Sequence, residues 1–359
     1  MNKLLKLIRC APSGKWAICL MTLMSLLLLA SCHSDTDAVL SDTASIRVVF
    51  RLYLPSAETS SASSKSSEDE RMMDNWESGV DPSRLHIVLY TPAGMNVGAL
   101  ENVVLVRTAD PNVYDVTGNM LMSKLLLDGD KFEGQIMVYA NMDGVNEQAD
   151  FSEEMVNQLT FSQKAGIHYI PMWGIKRLNI SLVAGRQTDI GTINMLRAEA
   201  KIHVELRQDM QANYELSQVE LSEANQLGYC LPLYANLRNL QDVQLLDHTA
   251  FAHFLSDGQK VSHLDMSHGA IYVPEYENIS KAQTAYISLT LRDKRDGHQQ
   301  QYELPFVEYD DNGAPTDVPV DIIRNHYYHF IVYKGEDDML AIQLKVRSWY
   351  YVQHDDILM

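Results

Sequence analysis

Three residues able to bind a metal ion, His263, Asp265 and His268, lie within six positions of one another. Imidazole nitrogens and carboxylate oxygens are common ligands of zinc. Ligands this close in sequence reach one ion only where the backbone curls around it and further groups orient them. Histidines in polar loops are commoner than such sites, so we predict no metal site here.

The other groups that could do chemistry favour structural roles. Cys230 stands between a tyrosine and a leucine, which indicates a small core residue rather than a nucleophile. His326 and His329 are an odd number of residues apart in a strand pattern, so they face opposite sides and cannot share one ion. Residues 310–313, Asp-Asp-Asn-Gly, lack the ligand spacing of a calcium loop and predict a turn.

The motifs of common catalytic sites are absent from the sequence. There is no Gly-x-Ser-x-Gly, no glycine-rich phosphate loop, no His-Glu-x-x-His and no Cys-x-x-Cys. The 359 residues include 47 acidic and 29 basic ones, a formal net charge of −18, whereas nucleic acid requires a basic surface. We therefore predict that the protein is not an enzyme, needs no cofactor and does not bind nucleic acid.

The first 31 residues have the pattern of an export signal. They carry four basic residues and no acidic one, and an apolar run extends from Ala17 to Ala30, too short for a membrane-spanning helix. The sequence Leu-Ala-Ser-Cys that ends at Cys32 resembles the lipobox of bacterial lipoproteins, in which the cysteine becomes the acylated N-terminus. We predict a signal peptide over residues 1–31, acyl chains such as palmitate on Cys32, and a polar tether over residues 32–43.

Most of the remaining chain alternates apolar and polar residues with the period of a β-strand. Strands are predicted over residues 46–54, 85–90, 135–140, 175–183, 195–204, 286–291 and 327–333. The buried face of the first strand comprises Ile46, Val48, Phe50, Leu52 and Leu54. Alternation dominates over helical spacing, which predicts a mainly β protein of two antiparallel β-sandwich domains. We place them at residues 44–192 and 193–359.

Two segments differ from the ordinary strands: one has no alternation, and the other alternates for an unusual length. Residues 56–83 are rich in serine and acidic residues, which predicts an exposed, mobile, protease-sensitive loop with one arginine, Arg71. A surface insertion without function would have the same composition. At the other end, alternation extends over residues 340–352, about 40 Å of strand; either a bend near residue 347 divides it or its end reaches beyond its own domain. Its apolar face comprises Leu340, Ile342, Leu344, Val346, Tyr350 and Val352.

Four segments resemble the fimbrillins that build the type V pili of Bacteroidia, in particular their major stalk subunit. They are residues 44–50, residues 196–204, residues 323–330 with their Arg-Asn-His-x-Tyr sequence, and the pair Ser348-Trp349. The resemblance implies two tandem transthyretin-like β-sandwich domains. It also implies an outer-membrane lipoprotein precursor that becomes part of a cell-surface fimbrium and contributes to adhesion.

The same resemblance implies assembly by proteolysis-triggered strand exchange. An Arg-specific protease would cut after Arg71, with Arg51 a less accessible alternative inside the first strand. Loss of the first strand would open an apolar groove, and the C-terminal donor strand of a neighbouring subunit would fill it, which builds a head-to-tail polymer. The alternatives are an uncleaved fimbrial anchor or tip adhesin of the same family, which would keep its lipid, and a surface glycan-binding lipoprotein.

Overall fold

The computed structural model of the chain describes residues 43–54, 75–123, 131–164, 166–181, 186–238, 240, 252–255, 260–261, 264–265, 270–280, 284–335 and 339–349. The predicted signal peptide, Cys32 and Arg71 lie outside these residues. The described residues are mainly β, as the alternating pattern predicted. Among the described residues, no helix combines the length and the apolar character needed to cross a membrane.

The elements follow one another along two units. The strands of the first unit are β1 (Thr43–Tyr53), β2 (Leu85–Tyr90), β3 (Asn96–Arg107), β4 (Val113–Ser123), β5 (Lys131–Ala140), β6 (Thr160–Ser162), β7 (Met172–Ser181) and β8 (Gln187–Arg197). Those of the second are β9 (Ala200–Leu206), β10 (Tyr214–Ser222), β11 (Ala224–Asn225), β12 (Leu227–Tyr229), β13 (Lys260–Val261), β14 (Leu264–Asp265), β15 (Ala270–Val273), β16 (Tyr286–Asp293), β17 (Gln299–Pro305), β18 (Val307–Tyr309), β19 (Pro315–Pro319), β20 (His326–Lys334) and β21 (Leu340–Ser348). The helices are α1 (Glu153–Gln158), α2 (Gln208–Gln211) and α3 (Tyr234–Leu237), with 3₁₀ helices at Asn75–Ser78 and Pro82–Arg84.

The first unit is a closed barrel with the strand order β1-β4-β3-β2-β5-β7-β8. Strand β1 closes it, because β1 pairs antiparallel with β4 along its whole length and parallel with β8. The predicted N-terminal sandwich of two separate sheets is therefore not confirmed. Alternation shows that each strand has one buried face, but it does not show which strand edges pair.

The main sheets of the second unit have four strands each, in the orders β14-β10-β16-β17 and β15-β9-β20-β21. Its short strands form two-stranded sheets, β11-β13, β18-β19 and β12 with β6 of the first unit. Apolar side chains from both sheets form one core, in which Ile202, Ile287 and Phe330 are fully buried. Strand β9 pairs in parallel with β20 and antiparallel with β15, and β21 pairs antiparallel with β20. The predicted antiparallel sandwich is not confirmed for this half either, because β9 and β20 are parallel neighbours.

Several local features of the structure follow from a few neighbouring residues. Strand β2 has the predicted bounds, and the turn after it closes with the Gly94 N–H donating to the Thr91 carbonyl at 2.9 Å. A side chain at Gly94 is excluded, because its φ is +87° and a Cβ would lie 2.6 Å from the Phe151 carbonyl oxygen. Helix α1 begins after Ser152, whose hydroxyl accepts from the Met155 N–H at 3.2 Å.

One predicted strand is two strands in the structure. The pattern over residues 195–204 suggested a continuous strand, but β8 ends at Arg197 and β9 begins at Ala200 in a different sheet. The division that we placed between residues 192 and 193 falls inside β8. The sequence shows no break at the junction because residues 193–202 are all buried.

Candidate functional site

Strand β1 forms one wall of the barrel. All five side chains of its predicted apolar face are at most 3% exposed. Its other face carries Arg47 and Arg51, which are exposed, and Arg51 Nε lies 3.1 Å from the Asp115 carboxylate at the surface. The strand continues to Leu54, whose N–H donates to the Asn112 carbonyl at 2.8 Å.

The neighbours of β1 explain what its removal would do. Eleven residue pairs join β1 to β4, and six more join it to β8. Without β1, the facing edges of β4 and β8 would lose their backbone partners, and apolar side chains such as Val116 and Ile193 would face an open groove. Such a groove can be filled only by another extended strand with alternating apolar side chains.

The segment that follows Arg71 is buried or half-buried over residues 76–80. Trp76 lies against Tyr272 of the second unit, with ring centroids 4.9 Å apart and nearly perpendicular. Glu77 is fully buried; Lys201 Nζ donates to its Oε1 at 2.6 Å, and the Tyr272 hydroxyl donates to the same oxygen. The prediction that residues 56–83 form one exposed loop is therefore wrong for residues 76–80, which are buried or half-buried, whereas Pro82 and Ser83 are exposed.

The residue after β21, Trp349, packs against the same tyrosine, Tyr272. Trp349 is fully buried, its ring stacks on Tyr272 at 5.6 Å, and its N–H donates to the Asn325 carbonyl at 2.6 Å. The Arg197 guanidinium lies 4.1 Å from the Trp349 ring centroid. Burial lowers the pKa of Arg197 to about 10, with the Glu77 charge opposing that shift, so Arg197 remains a cation at neutral pH.

These contacts form one structure, which we call the clamp and define as Trp76, Glu77, Lys201, Tyr272 and Trp349. It joins the chain just after Arg71 to the first strand of the second unit and to the end of the last described strand. The sequence signal for it was present but weak. A tryptophan stood in a serine-rich stretch, and Lys201 stood in a strand pattern where a buried position needs a carboxylate partner.

Strand β21 carries the described part of the predicted donor face. It is an edge strand, since β20 is its one partner among the strands that the structure describes. Ile342 is buried, Leu340 and Leu344 pack partly against the core, and Val346 is 43% exposed. Tyr350 and Val352 lie outside the described residues. The strand itself ends at Ser348, near the bend that the sequence suggested.

The residues first considered for chemistry have structural surroundings. Cys230 is buried, and burial raises the pKa of its thiol to about 12, so the nucleophilic thiolate is suppressed. The Asp310 side chain accepts from the N–H groups of Asn312 and Ala314, which makes the predicted turn. Asp265 lies in β14, whereas His263 and His268 are outside the described residues.

The Arg-Asn-His segment, residues 324–326, makes buried polar contacts. Arg324 is buried with Glu275, and its Nη2 donates to Glu275 Oε2 at 2.6 Å. Its Nη1 donates to the Cys230 carbonyl at 3.0 Å. Asn325 accepts from Trp349 through its backbone, and His326 Nδ1 lies 2.8 Å from the Arg324 carbonyl. These residues hold the loop before β20 in place.

The three tryptophans in the described part of the chain do not form an exposed platform for a sugar. Trp173 and Trp349 are fully buried, and Trp76 is half-buried in the clamp. Stacking on a sugar ring requires an accessible aromatic face. The glycan-binding alternative therefore has no site among these tryptophans.

Comparison with known proteins places these features in context. The family model described as fimbrillin-A associated anchor proteins Mfa1 and Mfa2 matches residues 108–355. A candidate cell adhesion protein from Parabacteroides distasonis has a similar fold, with a TM-score of 0.53, 12% identity, and coverage of 86% of this chain and 98% of that one. A fimbrial assembly protein from the same species aligns over 84% and 100%, with 10% identity and a TM-score of 0.49. No curated protein matches the chain.

Proposed function

The chain belongs to the family of fimbrillin-A associated anchor proteins Mfa1 and Mfa2, and we propose that it is a cell-surface fimbrial subunit that acts as the anchor. In this proposal acyl chains on Cys32 hold it in the outer membrane, and β1 stays in its own barrel. Neighbouring fimbrial subunits are its partners.

The observation that carries the proposal is the position of β1. Only residues 33–42 separate Cys32 from β1, so the path from the membrane to the folded protein runs through this strand. Strand β1 is bonded on both edges and buried on one face. It would therefore keep the lipid attached to the protein even if the chain were cut at Arg71, because the lipid and β1 are on the same fragment.

Retention of β1 also defines the place of the subunit in a polymer. A subunit whose barrel is filled by its own strand offers no groove, so it can join a head-to-tail chain only by donating a strand. In this proposal β21, together with the residues after it, is that donor. A subunit of this kind stands at one end of the polymer, and its lipid makes that the membrane end.

The clamp supports a resting state in which the donor is stored. To donate β21, the protein must separate it from β20 and withdraw Trp349 from the space between Arg197 and Tyr272. Truncation of a buried tryptophan to alanine costs about 3–5 kcal/mol, and withdrawal of Trp349 from its site should cost a similar free energy. The exchange would therefore proceed only when a neighbouring groove offers comparable burial.

A stalk subunit cut at Arg71 is the second candidate function, and one observation favours it. The clamp begins at Trp76, close after Arg71, so cleavage would free residues 32–71 without disturbing the packed segment. The two candidates differ in what happens to β1, which the anchor keeps and the stalk subunit releases.

Treatment of the purified, detergent-solubilised protein with an Arg-specific protease tests the proposal. The anchor function predicts that the fragment ending at Arg71 stays with the rest of the chain during gel filtration and separates only in denaturant. The variant Arg71→Ala is the control, because it should remain uncut at this position. Spontaneous release of the fragment, followed by formation of polymers, would reject the anchor in favour of the stalk subunit.

A further inference from the structure

Three potential metal ligands lie together on the outer face of the sheet that contains β21. His203 in β9 and His329 in β20 are directly opposite one another, and Glu205 follows His203 by two residues on the same face. One ligand atom from each residue lies within 4.8 Å of the others. The sequence did not reveal this cluster, because 126 positions separate the paired histidines (329 − 203).

One distance within the cluster is close to that between two ligands of a zinc ion. Glu205 Oε1 lies 3.0 Å from His329 Nε2. Two ligands of a tetrahedral zinc ion, each 2.0–2.1 Å from the metal, are about 3.3 Å apart. The imidazole rings of His203 and His329 are stacked, with centroids 5.2 Å apart and planes 20° apart.

A neighbouring group already orients the first histidine. The Tyr327 hydroxyl lies 3.1 Å from His203 Nδ1, and its ring stacks beside those of both histidines. When Nδ1 donates to this hydroxyl, Nε2 carries the free lone pair and can bind a metal. Such a partner behind the ligand is typical of metal-binding histidines, because it selects the tautomer and restricts the ring.

We propose that His203, Glu205 and His329 bind one zinc ion per chain. Two imidazoles and one carboxylate suit zinc, whereas calcium and magnesium require more oxygen ligands. His329 is buried, while His203 and Glu205 are half-buried, so the ion enters from their side and keeps a water molecule as its fourth ligand. The ion links β9 to β20, the strand that holds β21.

The charged groups on the same face act on this site. Lys345 lies opposite His329, and Arg347 and Lys201 lie opposite Tyr327 in the adjacent strands. Their positive charges oppose a bound cation. Lys345→Gln should therefore strengthen zinc binding several-fold, whereas a site elsewhere on the chain would not respond to this change.

Calorimetric titration of the full chain with zinc chloride, after removal of metals by a chelator, tests the proposal. The wild type should bind one zinc ion, and saturating zinc should raise its unfolding temperature by about 5 °C or more. Calcium and magnesium should produce no shift. His203→Gln and Glu205→Gln should each weaken zinc binding by about 100-fold or more, and Tyr327→Phe by about 10-fold.

His298→Gln is the matched control, because His298 is an exposed histidine in a loop of the same unit and its loss should leave zinc binding unchanged. The variants of His203 and Glu205 change half-buried side chains, and a cooperative unfolding transition without zinc verifies that they fold. Undiminished binding of one zinc ion in both variants, or no binding by the wild type at millimolar zinc, would overturn the proposal. The test is independent of the anchor function.

Discussion

Replacement of Phe50 in β1 by alanine should destabilise the barrel strongly. The Phe50 side chain is 3% exposed and lies in the barrel core, opposite Val116 of β4. Truncation of a buried phenylalanine costs about 3–5 kcal/mol, because apolar burial is lost and a cavity remains. The free energy of unfolding, measured by urea titration with tryptophan fluorescence, should decrease by this amount.

The neighbouring residue provides a matched control. Arg51 is next in the same strand, but its side chain is 66% exposed and its ion pair with Asp115, itself 54% exposed, is at the surface. Arg51→Ala should change the free energy of unfolding by about 1 kcal/mol or less. If Phe50→Ala costs no more than Arg51→Ala, then β1 is not a wall of the barrel and the reasoning fails.

The same variant links stability to function. In a chain nicked at Arg71, only non-covalent contacts hold the fragment that contains β1. A loss of 3 kcal/mol corresponds to about 100-fold weaker binding of that fragment. The nicked Phe50→Ala protein should therefore release the fragment in gel filtration under conditions where nicked wild type and nicked Arg51→Ala retain it.

Three further predictions concern buried polar groups. Glu77→Gln removes the carboxylate that Lys201 contacts in the clamp and should cost about 3–5 kcal/mol in thermal unfolding; a cost below about 1 kcal/mol would show that the clamp is weak. Burial alone would lower the pKa of His168, but the hydrogen bond and charge of Glu199 raise it overall. The stabilisation from this pair is therefore complete below the unfolded-state pKa near 6.5 and is lost as the pH rises through the higher folded-state pKa. The difference in stability between wild type and His168→Gln should shrink over this rise in pH. An increase in that difference would contradict the prediction. Cys230, with its pKa raised to about 12, should react with Ellman's reagent at mildly alkaline pH only after the protein unfolds; rapid reaction of the native protein would place the thiol at the surface.

Local features could be predicted from the sequence because each depends on a few neighbouring residues. The burial of Phe50 follows from two-residue alternation, and the start of α1 follows from the Ser152 cap. The inertness of Cys230 followed from its apolar neighbours. The mainly β character of the protein followed from the same alternation, repeated along the chain.

The remaining features depend on which distant segments meet. The barrel closes because β1 pairs with β8, and the clamp forms because Glu77 reaches Lys201. The pairing of His203 with His329 depends on β9 and β20 lying side by side. None of these pairs has a local signature, because alternation is the same for any partner strand. A serine-rich stretch before Trp76 also concealed the buried residues at its end.

The intact mass of the protein taken from the cell surface tests the anchor function most directly. The account predicts a chain that begins at Cys32, carries acyl chains and includes β1. A chain that begins at Met72, without lipid and without β1, would contradict it.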